Sequence, residues 1–161
     1  MCIRDRSESE VMVRLREVVS HQPPLQSYNK QKKIGQGASG SVYVAKVREN
    51  AISPFAQKII RDQGPKAQVA IKQMDLRNQP RKELIVNEIV VMKDSKHPNI
   101  VNFIEAFLPE EQTELWVVME FMEGGPLTDV IDNNPSISEG QIAAICFEVS
   151  GGPCDSFRDE R

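Results

Sequence analysis

Gly35, Gly37 and Gly40, with Lys72 and Glu88 further along the chain, are the residue types that can hold a polyphosphate. A glycine loop brings backbone N–H groups against phosphate oxygens because no Cβ holds the chain away. The triplet Gly35-x-Gly37-x-x-Gly40 decides little alone, since a plain hairpin turn also asks for small residues. Its surroundings decide more. A dinucleotide fold begins a helix at the third glycine. Here Ser41-Val42-Tyr43-Val44 follows, β-branched and aromatic, which resists helix formation. The loop therefore reads as a flap between two strands, with its N–H groups closing over phosphates.

Lys72 ends the run Val69-Ala70-Ile71-Lys72, and strand alternation puts Ala70 and Lys72 on one face. A lysine there, under the glycine flap, reaches phosphate oxygens, although a lone strand lysine more often faces water. Glu88 falls beside the apolar face of the next helix, where a carboxylate asks for a partner. By itself it would read as a solvated helix glutamate; with Lys72 and the glycine loop in place, it reads as the lysine's partner. Trp116-Val117-Val118-Met119-Glu120-Phe121-Met122 runs into Gly124-Gly125. An apolar strand that unwinds at a glycine pair offers backbone groups to a planar base, and a buried strand with a turn reads the same. His97, with only His21 as another histidine, is assigned to a turn.

The elements that must position these residues follow from periodicity. Residues 7–20 read as a helix capped by Ser7 or Ser9, with Val11, Leu15, Val18 and Val19 on one face and Gln22-Pro23-Pro24 ending it. Strands are predicted over 28–34, 41–47, 68–74, 100–108 and 114–120. Residues 48–66 read as a long connection with a short helix at 55–60. Pro80 opens a helix in which Leu84, Ile85, Ile89 and Met92, widened by Val86, Val90 and Val91, make the apolar face. Glu123-Gly124-Gly125-Pro126 is a bend, followed by helices over 127–132 and 138–149, the second capped by Ser138. The periodicity stops there. The class is α+β: sequential strands favour antiparallel pairing, and one helix after the third strand covers a face.

The 161 residues suffice for one domain, and 40% apolar with 27% charged residues is an ordinary globular mix. Lys and Arg number 20 against 23 Asp and Glu, so no basic field of the nucleic-acid-binding kind exists. No apolar run approaches a membrane span, and the first residues lack a signal peptide's apolar core. Cys2, Cys146 and Cys154 lack metal-ligand spacing and read as free thiols in a reducing cytosol, which places the protein in the cytoplasm.

Taken in order, five segments carry a resemblance: 34–42 with the glycine loop, Val69-Ala70-Ile71-Lys72-Gln73-Met74, Asn87-Glu88-Ile89, His97-Pro98-Asn99-Ile100-Val101, and Leu115-Trp116-Val117-Val118-Met119-Glu120. They resemble the small lobe of a protein kinase, and most closely the PAK family of serine/threonine kinases in its fungal form. The resemblance implies a five-stranded antiparallel sheet with one large helix, then a hinge and the first helices of the large lobe. It divides the chain into an extension with a short helix (1–27), a small lobe (28–120), a hinge with the start of the large lobe (121–149) and a non-matching tail (150–161).

It implies ATP bound by Ile34, Gly35, Gln36, Gly37, Ala38, Ser39, Gly40, Val42, Ala70, Lys72, Met119, Glu120, Met122 and Gly125. Val42 and Ala70 sandwich the adenine, Met119 is the gatekeeper, and Glu120 and Met122 give hinge hydrogen bonds. Lys72 pairs with Glu88, and Met92 and Phe103 stack behind Glu88. It further implies Mg²⁺, protein substrates phosphorylated on Ser or Thr, and a small Rho-type GTPase as regulator.

Three departures stand out. The 48–68 connection is long for the family and is expected at the lobe's edge. Pro126 replaces a polar residue near the ribose. Beyond Cys146 no HRD or DFG motif follows, so the expectation is a kinase fragment without catalytic or metal-binding residues; the alternative is a non-catalytic small lobe that binds or competes. Ile142, Ile145 and Phe147 are then expected to be exposed, with order lost after Asp132.

Overall fold

The computed structural model describes residues 8–37, 40–77, 81–109 and 113–151. The expectations for Ser7, Ala38, Ser39, Pro80 and the turn at 110–111 lie outside them. The elements run α1 (Glu8–Val18), β1 (Tyr28–Gly37), β2 (Gly40–Val47), α2 (Pro54–Gln63), β3 (Gln68–Asp75), α3 (Lys82–Asp94), β4 (Phe103–Phe107), β5 (Glu114–Glu120), α4 (Leu127–Asn133) and α5 (Glu139–Ser150). The strands form one five-stranded sheet in the order β1-β2-β3-β5-β4, each neighbouring pair antiparallel. The expected sheet-plus-helix architecture is thus present.

Alternation along β3 and β5 sorts the core into two layers. Met74, Leu115 and Val117 face inward to Ile85, Val86 and Ile89 of α3 and to Val11, Leu15 and Val19 in and beside α1. Val69, Ile71, Trp116 and Val118 face outward with Tyr28, Ala45, Val47 and Phe107. A Phe103–Glu105 irregularity in the β4–β5 register puts Phe103 in the first layer while Glu105 and Phe107 turn to the second.

Several sequence expectations are corrected. β4 starts at Phe103, not residue 100, because the chain from His97 closes a turn, the His97 carbonyl accepting from Ile100 N–H (3.2 Å), and the Asn102 side chain bridges that turn: Nδ2 donates to the His97 carbonyl (3.0 Å) and Oδ1 accepts from His97 N–H (3.0 Å). On α3 the buried stripe is Ile85, Val86 and Ile89, while Leu84 and Val91 are exposed. The connection after β2 contains the helix expected there, somewhat longer than 55–60. Its helix α2 is capped by Ser53, which accepts from Ala56 N–H, has Pro54 in the first turn, and stops at Gly64. Ala56 is fully buried, and Ile59 and Ile60 pack on the outer sheet layer.

α5 carries a complete capping box between Ser138 and Gln141 and is helical to Ser150. Asn99 Nδ2 also ties it to the His97 turn through the Glu148 carbonyl (2.8 Å) and carboxylate (2.6 Å). Phe147 is 75% and Ile142 50% exposed, so the apolar surface expected there is present; Ile145 is half-buried.

The outer layer encloses a charged group that the sequence analysis did not single out. Glu105, 3% exposed, accepts from Tyr28 Oη and from Ser53 Oγ (2.6 Å) on Oε1, and from Ser20 Oγ (3.1 Å) on Oε2. Burial, and secondly the Glu105 carboxylate beside it, push the Tyr28 phenol well above its ordinary 10.0. The folded state therefore favours the neutral phenol. That contribution is whole below pH 10.0 and is lost as pH rises above it. Tyr28→Phe is expected to lower stability by about 1 kcal/mol at neutral pH. It should also flatten the alkaline decline, as read from urea midpoints at rising pH; parallel declines would count against this.

Candidate functional site

The glycine loop is the turn of the β1–β2 hairpin. Gly37 pairs with Gly40, Gln36 with Ser41 and Gly35 with Val42. Ala38 and Ser39, between Gly37 and Gly40 in the sequence, lie outside the described residues. The three glycines are not equivalent. A Cβ on Gly40 (φ 143°) would stand 2.1 Å from the Gln73 carbonyl oxygen, whereas one on Gly37 would meet nothing within 4 Å. Gly40 is thus required by the close approach of β3, and Gly37 leaves open space.

Directly paired residues of antiparallel strands share a face. Val42 pairs with Lys72 and Val44 with Ala70 across β2–β3, and Ala70 pairs with Met119 across β3–β5. Register alone therefore lays Val42, Ala70, Lys72 and Met119 side by side on the inner face. Ala70 is buried, while Val42 and Met119 are half-buried. Lys72 Nζ lies 3.5 Å from Glu88 Oε1, with the two side chains 21% and 51% exposed. The pair read from the sequence is brought together, but Glu88 is a half-solvated carboxylate, and burial is not what demands its partner.

Ile34 is 48% exposed at the hairpin base, and Gln36 Oε1 accepts from Ser41 Oγ (2.9 Å) and from Lys33 Nζ. Past β5 the chain turns: the Met122 carbonyl accepts from Gly125 N–H (3.2 Å), with Gly125 at φ 70°. A carbonyl oxygen accepts two hydrogen bonds, so this one does not preclude a second. The Glu120 side chain has a task that sequence reasoning missed. Its Oε2 accepts from Asn102 N–H (3.0 Å) and Nδ2 (3.1 Å), joining the end of β5 to the His97 turn. His97 Nδ1 in turn accepts from Asn99 N–H (3.0 Å), the structural role expected of it.

A separate cleft of about 510 Å³ lies behind the residues after β5, lined by Phe55, Ile59, Val69, Ile104 and Met122 among others. Val69 points to the outer layer, opposite Ala70 and Lys72, so this cleft is not the one that the glycine hairpin covers. Among the described residues no three of His, Cys, Asp and Glu come together as a metal site. No helix among them is long and apolar enough to cross a membrane.

A glycine hairpin over an ion-paired lysine, beside a strand that ends in a turn, can take the phosphates and the base of a nucleotide. Comparison with known proteins points the same way. The family described as protein kinase domain matches residues 28–152. Serine/threonine-protein kinase CLA4 of Candida albicans is 48% identical over 147 residues, covering 91% of this chain and 14% of the relative. Serine/threonine-protein kinase STE20 of Saccharomyces cerevisiae is 46% identical over 149 residues, covering 92% and 14%. Serine/threonine-protein kinase PAK 1 of Mus musculus is 46% identical over 142 residues, covering 88% and 23%. The chain thus spans less than a quarter of the length of these relatives.

Proposed function

The chain belongs to the protein kinase domain family, and from that premise we propose that it is the ATP-binding part of a serine/threonine kinase that transfers the γ-phosphoryl group to protein hydroxyls. The observation that carries the reading is the placing of Val42, Ala70, Lys72 and Met119 on one face beneath the glycine hairpin, with Lys72 held 3.5 Å from Glu88. In this reading adenine lies between Val42 and Ala70, and Met119 closes the back of its pocket. Glu120 and Met122 offer it backbone hydrogen bonds. Gly35, Gln36, Gly37, Ala38, Ser39 and Gly40 cover the phosphates, flanked by Ile34, and Gly125 lets the chain turn past the ribose. Lys72 donates to the phosphate oxygens, and Glu88 keeps its ammonium aimed there.

Mg²⁺ supplies charge neutralisation on the phosphates in this family. The donor set here does not by itself make a site for it, since no cluster of three metal-ligating side chains is found among the described residues. These 161 residues also contain neither an HRD nor a DFG triplet. Phosphoryl transfer, protein substrates and control by a small Rho-type GTPase are therefore proposed for the whole protein, working in the cytoplasm. The 161 residues alone bind nucleotide without transferring phosphate. Phosphate transfer by the purified chain would contradict this.

The test is titration of the chain with ATP beside its Lys72→Met variant. Loss of one charge-assisted contact worth about 1.5–3 kcal/mol predicts a weakening of roughly tenfold or more. Equal affinities would remove the phosphate assignment. No saturable binding in either protein would remove the ATP-binding reading and leave the alternative, a non-catalytic small lobe acting only as a binding or competing module.

A further inference from the structure

We infer that Lys30 is a positioning residue for the nucleotide site, on the reading above that the glycine hairpin covers the phosphates. From the outer face of the sheet it ties β1, and with it the hairpin, to the strands that carry Lys72 and Met119.

β1 is an edge strand with β2 as its only neighbour in the sheet. Their register is interrupted twice just before the glycines, between Lys30 and Lys33 and between Lys33 and Gly35. Such irregularities leave residues unpaired and bend the strand. Backbone pairing alone therefore fixes the hairpin loosely.

Lys30 reaches across that interruption. It pairs with Ala45 of β2, and alternation sets it on the outer face with Tyr43, Gln73 and Trp116. Its ammonium stands 4.4 Å from the centroid of the Tyr43 ring and 4.8 Å from that of Trp116, and it donates to Gln73 Oε1 (2.9 Å). Gln73 Nε2 in turn donates to Glu114 Oε2. One half-buried side chain thus engages β2, β3 and β5 together.

Two of these anchors bear on the hairpin directly. Tyr43 pairs with Lys33, the residue between the two irregularities. Gln73 is the residue whose carbonyl oxygen Gly40 approaches so closely that no Cβ fits between them. Trp116 also carries a cost that the contact explains. Its Nε1 is buried with no hydrogen-bond partner among the described residues, which a phenylalanine would avoid. What the indole offers instead is its ring face, the best of the aromatic faces for a cation. Val42, Ala70 and Lys72 lie on the opposite face, so Lys30 acts on the nucleotide only through the hairpin.

The experiment is titration of the full chain with ATP and with adenosine, followed by amide shifts, which read weak binding as well as strong. Thermal melts confirm that each variant is folded. Lys30→Met keeps the length of the side chain and removes its charge. It is expected to weaken ATP about three- to tenfold, and adenosine, which has no phosphates for the hairpin to meet, less than about twofold. Lys30→Arg, whose guanidinium stacks on rings and still donates, should stay close to the parent. Trp116 is the single tryptophan of the chain, so its emission should change in Lys30→Met. Should Lys30→Met fail to fold, Gln73→Met, which removes only the acceptor, carries the same ligand comparison. Equal losses for ATP and adenosine would make Lys30 merely structural and overturn the inference. So would unchanged Trp116 emission, or undiminished ATP affinity while Lys72→Met still weakens binding. If Lys72→Met itself changes nothing, the phosphate reading of the site falls, a failure readable separately from the Lys30 variants.

Discussion

Glu105→Ala is expected to remove a large share of the stability of the chain, several kcal/mol. The carboxylate accepts from Tyr28 and Ser53, both essentially inaccessible to water, and from Ser20. Removing it strands two fully buried hydroxyls at about 1–3 kcal/mol each, before any cavity is counted. Total stabilities are only about 5–15 kcal/mol. Urea or thermal melts followed by circular dichroism would read the loss. The mechanism makes a second demand: replacing the acceptor together with the phenol, by Glu105→Leu with Tyr28→Phe, should recover part of the stability, because the phenol is then no longer left unpaired, while Ser53 keeps its cap on α2. A Glu105→Ala chain as stable as the parent would show that the network contributes nothing.

Gly40→Ala is expected to abolish nucleotide binding through the hairpin. The new Cβ would overlap the Gln73 carbonyl oxygen at 2.1 Å and crowd Met74 Cα at 3.1 Å, at a φ of 143° that side chains rarely adopt. Neither obstacle is a flexible side chain, so β2 must draw away from β3 and take Val42 with it. We expect ATP affinity to fall by at least about tenfold, together with a loss of stability of a few kcal/mol of the kind stored in strained backbone. Gly37→Ala is the control: its Cβ meets nothing within 4 Å, so the fold should tolerate it. Equal folding and equal ATP affinity in Gly40→Ala and the parent would contradict the geometry.

What the sequence made legible was local. The glycine triplet, Val69-Ala70-Ile71-Lys72 and the strand Leu115 to Glu120 each show their character within a few residues. β5 spans the predicted 114–120, and α4 and α5 lie within a residue of their predicted ends. What escaped was long-range. Glu105 stands in an apolar strand, which was a signal in itself, but its partners Ser20, Tyr28 and Ser53 lie far away in the chain and no spacing joins them. The irregularity after Phe103 breaks simple alternation, so the faces of β4 could not be counted off. The helix in the β2–β3 connection showed its pattern, but not that Ala56 and Ile59 would cover the sheet. The exposure of Glu88 was misread because the α3 stripe is rotated toward Ile85 and Val86, a choice made by α1 and the sheet together.

The central claim is that ATP lies on the inner sheet face under the glycine hairpin. Backbone amide chemical shifts of the chain, recorded as ATP is added, test it most directly. The account predicts saturable changes centred on Gly35, Gly37, Gly40, Val42, Ala70, Lys72 and the stretch from Met119 to Met122. Changes centred instead on Phe55, Ile59 and Ile104, the walls of the cleft behind that stretch, or no saturable change at all, would contradict it.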